Sequence, residues 1–299
     1  MSSRGWILFL AMSIIWGIPY LMIKVAVEGV SVPVLVLART AVGAAVLLPM
    51  ALSRQTVTIV RNHWKALFGF AFFEIIAAWW LLSDAERHLT SSMTGLLIAA
   101  SPIIAAVLDR FTGGDRLGVK RILGLAIGIA GVAVLAGPHI GGSTWPIIEV
   151  LMVATCYAIA PLIAARYLAD VPALPMTAVC LGFAALVYAA PAAATWPDEM
   201  PATRVLLALA GLAVICTALA FIVFFALIRE VGAARALVFT YINPAVALAA
   251  GVIVLNEPLT PWNIAALALI LAGCVLATHH PRDAQTPDIA TEPTQVAPR

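Results

Sequence analysis

Charge is scarce in this chain: 11% of its 299 residues are Asp, Glu, Lys or Arg, while 63% are hydrophobic. A soluble domain carries about a quarter charged residues and about half apolar ones, because its surface must face water. This sequence has too little polar surface for a globule, and a bilayer is the solvent that absorbs the excess. Basic runs are missing too, and a net charge of +2 gives no footing for a nucleic-acid partner. Cysteine is sparse and unclustered. Cys156, Cys180, Cys216 and Cys274 each sit inside a long apolar stretch without a CxxC or Cys/His spacing, so they read as small hydrophobes and not as disulfides or metal ligands. His63, His88, His139, His279 and His280 are scattered in loops, which suggests neither a metal site nor a cofactor. No Gly-rich P-loop is present, which argues against ATP hydrolysis within the chain. The first apolar run, from Trp6 to about Val27, is too long for a signal-peptide core and reads as a retained helix.

Long apolar runs are what the chain does have. A membrane-spanning helix needs roughly 20 apolar residues to cross about 30 Å of hydrocarbon. Ten runs qualify: 6–27, 33–52, 64–84, 91–109, 119–137, 145–166, 172–194, 203–227, 233–254 and 261–279. They are continuous and not alternating, which excludes barrel strands. If the N-terminus is cytoplasmic, thirteen of the seventeen Lys and Arg fall on its side, three (Lys24, Arg87, Arg204) on the far side, and Arg39 within a span. The positive-inside rule therefore expects an integral protein of a bacterial inner membrane with both termini cytoplasmic. Residues 280–299 are rich in Pro, Thr and charge and read as a disordered cytoplasmic tail.

Shifted by 142 residues, the sequence matches itself. Pro19 meets Pro161, Pro33 meets Pro175, Pro49 meets Pro191 and Pro102 meets Pro244. Random placement of the prolines gives fewer than one coincidence. Lys24 meets Arg166, Glu28 meets Asp170, Arg87 meets Arg229, Asp115 meets Glu257, Gly69 meets Gly211 and Gly131 meets Gly273 at the same offset. The expected units are a five-helix repeat over 1–142 and a second over 143–279. Five is odd, so the second copy enters the membrane inverted. Inverted repeats hold substrates near mid-membrane between the halves.

Two charges lie deep in the spans. Glu74 sits near the middle of the third, where a charge costs about 2.5–3.5 kcal/mol on insertion scales. Its same-face neighbours are small, so it is expected to face a cavity and to bind a proton or a substrate amine. Arg39 differs from it in depth by roughly 9 Å, so a direct pair is not expected, and Arg39 reads as structural, satisfying carbonyls or snorkelling outward. Pro19, Pro102, Pro161 and Pro244 free the carbonyls of Ile15, Ile98, Tyr157 and Thr240. Irregular backbone in a bilayer survives only against protein or a water-filled cavity, so these prolines mark cavity walls, hinges or kinks. Trp16 and Tyr20 share a helix face. With Tyr157, Tyr241, Ser101 and Asn243 they form the expected pocket, the aromatics stacking on planar or cationic groups, while the neighbours of Trp79 place it against the same space or against lipid. Asp115 and Glu257 are expected to cap the next helix or anchor their loops. Gly124 and Gly128 form a small-xxx-small pair, suited to contact between chains or within one.

The chain resembles the drug/metabolite transporter superfamily, specifically its EamA-type ten-helix members. The second half carries Ala226-Leu227-Ile228-Arg229, Gly232-Ala233-Ala234, Asn243-Pro244-Ala245, Leu255-Asn256-Glu257-Pro258-Leu259-Thr260 and Leu269-Ile270-Leu271-Ala272-Gly273. The first half carries Trp16-Gly17, Lys24, Arg39, Ser101-Pro102, Gly114-Asp115-Arg116-Leu117 and Gly131. It departs from the family pattern at Asp115, Asn256 and Pro19, and at Glu74 and Glu86, which stand where apolar residues are usual. The resemblance implies export of amino acids or related metabolites, less often of drugs, nucleotides or sugars. The expected function is secondary transport of an amino acid or derivative by alternating access, with protons as a candidate coupling ion, in a monomer or homodimer. A facilitative uniporter and a drug or nucleotide-sugar carrier are the nearest alternatives. An intramembrane enzyme needs clustered acids, bases or metal ligands at one level, which the sequence lacks.

Overall fold

The structure, a computed structural model, describes residues 2–111, 118–136 and 144–278. Asp115 and the tail 280–299 lie outside the described residues. Every described element is helical, because lipid offers no hydrogen bonds and each spanning segment must satisfy its own backbone. Among the described residues, seven helical stretches are long and apolar enough to cross a membrane by length and composition: Ser3–Ala26, Val32–Ala51, Arg54–Ala85, Ser91–Leu108, Trp145–Tyr167, Ala173–Ala194 and Thr203–Val231. Three shorter apolar helices, Ile122–Ala136, Asn243–Leu255 and Pro261–Leu276, fall on the fifth, ninth and tenth expected runs.

Several spans are interrupted, and the interruptions have local causes. The first consists of α1 (Ser3–Ile15) and α2 (Pro19–Ala26), with Pro19 opening the second piece. The second is α3 (Val32–Ala51). The third starts ten residues earlier than its apolar run, because Ser53 caps a polar first turn by accepting a bond from the Thr56 N–H at 3.1 Å. It comprises α4 (Arg54–Ala71), a π-helical stretch Phe72–Ile76, and α5 (Ala77–Ala85). The fourth breaks between α6 (Ser91–Ile98) and α7 (Ser101–Phe111), ahead of Pro102. Then come α8 (Val119–Ala136), α9 (Trp145–Tyr167) and α10 (Ala173–Ala194). The eighth comprises α11 (Thr203–Ala210), a second π-helical stretch Gly211–Leu219, and α12 (Ala220–Val231). The ninth comprises α13 (Ala233–Ala236), a 3₁₀ turn Leu237–Tyr241, and α14 (Asn243–Leu255), with Pro244 in its first turn; α15 (Pro261–Thr278) follows. The two π stretches overlap under the 142-residue shift, so the halves share this irregularity.

Helix packing follows the same repeat. Helix α3 lies along α10 and α8 along α15, and each pair consists of equivalents. Helix α2 packs on α11 and α9 on α4, while α1 packs on α12 and α9 on α5; each of these couples maps onto the other under the shift. The α8–α15 seam needs glycine: a Cβ at Gly273 would sit 2.6 Å from Gly128 Cα and 2.7 Å from the Gly124 carbonyl oxygen. Gly124 and Gly128 are therefore used for packing within the chain.

One part of the pattern is not symmetric. On the side away from the N-terminus, α6 packs closely on α14 and α2 on α6. Their equivalents nearer the N-terminus, α7 with the α13–3₁₀ segment and the end of α9 with α13, show no comparable packing among the described residues. Side-chain bonds reinforce the far side. Lys24 Nζ donates to the backbone carbonyls of Glu86 and Leu89, both at 2.7 Å. The Glu257 carboxylate accepts from the Ser91 and Ser92 N–H groups at 2.8 and 2.9 Å and from both serine hydroxyls. Glu257 thus caps α6, a helix of the other half, not the next helix as the sequence suggested. Asn256 adopts a left-handed φ of 54°, a conformation Asn tolerates better than most residues, and this turn aims Glu257 at α6. Gly251 keeps the approach open, since a Cβ there would sit 2.8 Å from Ser91 Oγ.

Glu86 lies under this closure. It is fully buried, and neither carboxyl oxygen has a hydrogen-bond partner. Burial pushes its carboxyl well above the usual carboxylate range. Lys24 pulls it back, Glu257 pushes it further up and Arg39 draws it down.

Candidate functional site

Between the two halves lies a cavity of about 430 Å³. Its walls come from broken or proline-bearing spans and both π stretches, mostly from their portions nearer the N-terminal side. All eight residues singled out as pocket candidates, Trp16, Tyr20, Glu74, Trp79, Ser101, Tyr157, Tyr241 and Asn243, line it. So do Pro19, Pro102, Pro161 and Pro244. Three of these prolines adjoin real breaks, but Pro161 lies inside the unbroken α9.

The breaks satisfy their backbone locally. The Ile98 carbonyl, freed by Pro102, accepts the Ser101 hydroxyl at 2.6 Å, and the Ala99 carbonyl accepts the Cys274 thiol at 3.1 Å. With its amide nitrogen turned toward them, Asn243 donates to the carbonyls of Phe239 and Ser13, both at 3.2 Å. Asn243 thereby ties the break in the ninth span to the first. The donors of Ser101 and Asn243 are thus committed to the fold, which leaves their oxygens as acceptors.

The π stretches place chemistry on the wall. Such stretches open the helix at functional sites. Glu74 lies in the first, lining the cavity, and among the described residues it has no hydrogen bond and no cation within salt-bridge distance. Cys216 lies in the second at the repeat-equivalent position and also lines the cavity. Thr217 follows it, accepting from Arg39 Nε at 3.4 Å.

Arg39 departs from the sequence reading. It is buried and does not snorkel, it bonds no carbonyl, and it lines the cavity with its guanidinium carbon 3.8 Å from the centroid of the Trp79 ring. It has no ion pair with Glu74, in line with the expected difference in depth. Trp79 is buried against the cavity, whereas Trp80 is partly exposed and stacks on Tyr188 at 6.0 Å.

Among the wall residues that the sequence did not mark are Phe221, Phe224 and Phe225. Trp16 packs against Phe221, Phe224 and Phe239 with centroids 5.6, 5.1 and 5.4 Å apart. Their signal was an i, i+3, i+4 aromatic face on one helix.

The comparisons with known proteins agree with this architecture. The chain is 25% identical over 92% of its length to the uncharacterized transporter YvbV of Bacillus subtilis, covering 92% of that protein. It is 26% identical to the uncharacterized inner membrane transporter YedA of Escherichia coli K12, over 90% of this chain and 88% of that one. It is 27% identical to a probable terminal-alkyne amino-acid exporter of Streptantibioticus cattleyicolor, over 96% and 98%. A solved crystal structure superposes with a TM-score of 0.64 at 21% identity, over 93% of this chain and 98% of that one, which shows the shared fold. The sequence profile of the EamA-like transporter family matches twice, at residues 3–137 and 144–278. Both matches lie on the repeat units read from the sequence, and the chain belongs to the EamA-like transporter family.

Proposed function

We propose that the protein exports a small metabolite, an amino acid or amino-acid derivative, by alternating access across a bacterial inner membrane. The observation that carries this reading is the cavity between two repeats, closed on one side by Lys24 and Glu257 and flanked on the other by repeat-equivalent segments that show no comparable packing among the described residues. A carrier built from equivalent halves exchanges such closures between its two faces. The distribution of Lys and Arg makes the N-terminal side cytoplasmic, so the arrangement described is open to the cytoplasm, where an exporter loads. The size and aromatic walls suit a compact solute with an apolar body. Glu74 offers an acidic group to a substrate amine or to a coupling proton. A relative named as a probable amino-acid exporter supports the substrate class.

Counterflow in liposomes tests this. Purified protein preloaded with one unlabelled amino acid at a time should accumulate the same labelled amino acid, with saturation. No saturable exchange of any amino acid would overturn the substrate class. Non-saturating flux would replace the carrier with a pore.

A further inference from the structure

Arg39 is a buried cation without a counter-ion within bonding distance. Among the described residues, no carboxylate lies within 4.0 Å, and its one hydrogen bond runs from Nε to Thr217 Oγ1 at 3.4 Å. Among the described residues the terminal nitrogens of the guanidinium find no bonding partner, although the side chain lines the cavity. Trp79 supports it from one side by a cation–π contact at 3.8 Å. That contact fixes the position of the fork without using its in-plane donors. Leaving a guanidinium desolvated and unpaired is costly, and the geometry that repairs this is a planar bidentate acceptor.

We propose that Arg39 is the carboxylate anchor of the transport site, so that the solute carried must present a free carboxylate to it. This deepens and rests on the proposed export of an amino acid or derivative. It also separates that class from the drug-like cations that an aromatic cavity would otherwise suit. Trp79 and Thr217 act as positioning residues: one sets the plane of the guanidinium, the other holds Nε and leaves the terminal nitrogens for the solute. The other titratable groups around the guanidinium are Cys216, Tyr157, Glu86 and Tyr20. Glu86 is the one internal competitor, a carboxyl with both oxygens unbonded.

The experiment is a ligand-stabilisation and binding series on purified full-length protein in detergent. The probes are the twenty amino acids and, for each one that binds, its carboxamide and its decarboxylated amine. The expected result is that the carboxamide and the amine bind at least about tenfold more weakly than the acid. That discrimination should vanish in Arg39→Gln and persist in Glu86→Gln. Arg39→Lys keeps the charge without the fork and should retain the preference with weaker affinity, which covers the case in which Arg39→Gln fails to fold. Equal binding of acid and carboxamide to the wild type would overturn the anchor while leaving amino-acid export standing. A carboxylate preference surviving in Arg39→Gln, or lost in Glu86→Gln alone, would also overturn it. If none of the twenty binds, the amino-acid reading fails, and the anchor with it.

Discussion

Lys24 and Arg166 occupy equivalent places in the two halves, yet among the described residues only Lys24 is bonded to the opposing helix end. Its ammonium holds the Glu86 and Leu89 carbonyls at 2.7 Å. Arg166 is exposed, with its guanidinium carbon 5.6 Å from the ring centroid of its neighbour Tyr167. The equivalents of Glu86 and Leu89 are Ile228 and Val231, whose carbonyls stand at the end of α12. A carrier that exchanges its closures would bring Arg166 onto them.

Lys24→Met and Arg166→Met should therefore shift the carrier in opposite directions. Thr240 lines the cavity, so Thr240→Cys in a background without the four native cysteines reports access from the N-terminal side. With a membrane-impermeant maleimide on membranes of known sidedness, Lys24→Met should lower labelling from that side by about tenfold, the effect of losing charge-assisted bonds. Arg166→Met should hold or raise it. A shift of both variants in the same direction would defeat the equivalence.

Among the described residues, Glu74 is the one acidic side chain on the cavity wall. If it takes the coupling proton, Glu74→Gln should lower transport in liposomes by about tenfold or more and flatten its dependence on an imposed pH gradient. Retention of both rate and pH response would remove Glu74 from the mechanism.

Glu86 gives a stability test. Its carboxyl holds a proton more tightly in the folded protein than in the unfolded chain, through burial first. The folded state then binds more protons above the usual carboxylate range, so stability falls as pH rises through that window. Glu86→Gln should flatten the slope of Tm between about pH 5 and pH 8 and raise Tm at the upper end. The gain should be a few degrees, at about 2–4 °C per kcal/mol. A wild-type slope that persists in the variant would assign the effect to other groups.

The α8–α15 seam has no room for side chains at its glycines. Gly273→Leu should sharply reduce the yield of monodisperse protein, whereas Gly118→Leu, with nothing near its Cβ, should leave it unchanged. Overpacking of this kind costs about 1–3 kcal/mol or more. Size-exclusion profiles of the two variants give the answer.

Much of this was legible in the sequence. Apolar runs and an odd repeat follow from elementary solvation and counting, and proline removes a backbone donor wherever it stands. Hence Pro19, Pro102 and Pro244 pointed to the interrupted spans and to the cavity beside them. Pro161 did not, because α9 runs through it unbroken. Contacts between distant segments were hidden. Nothing local in the sequence joins Arg39 to Thr217, 178 residues on, or Glu257 to the start of α6, 166 residues back. Depth alone makes Arg39 look structural, and depth says nothing about which neighbour a guanidinium meets. Trp79 was ambiguous for a different reason, which lies in the helix that carries it.

Glu74 and Trp79 are five residues apart, which on a regular α-helix would set them about 140° apart. Both nevertheless border the same space. The π stretch Phe72–Ile76 supplies the missing phase: its wider turn brings the two positions nearer to eclipse. The third span therefore works like a cam whose profile depends on one supernumerary residue. Deleting Phe73 would leave enough length to cross the bilayer and restore a regular turn with Glu74 and Trp79 still five residues apart, which would rotate the carboxyl and the indole out of register. Substitution scans cannot detect such a dependence; a one-residue deletion can.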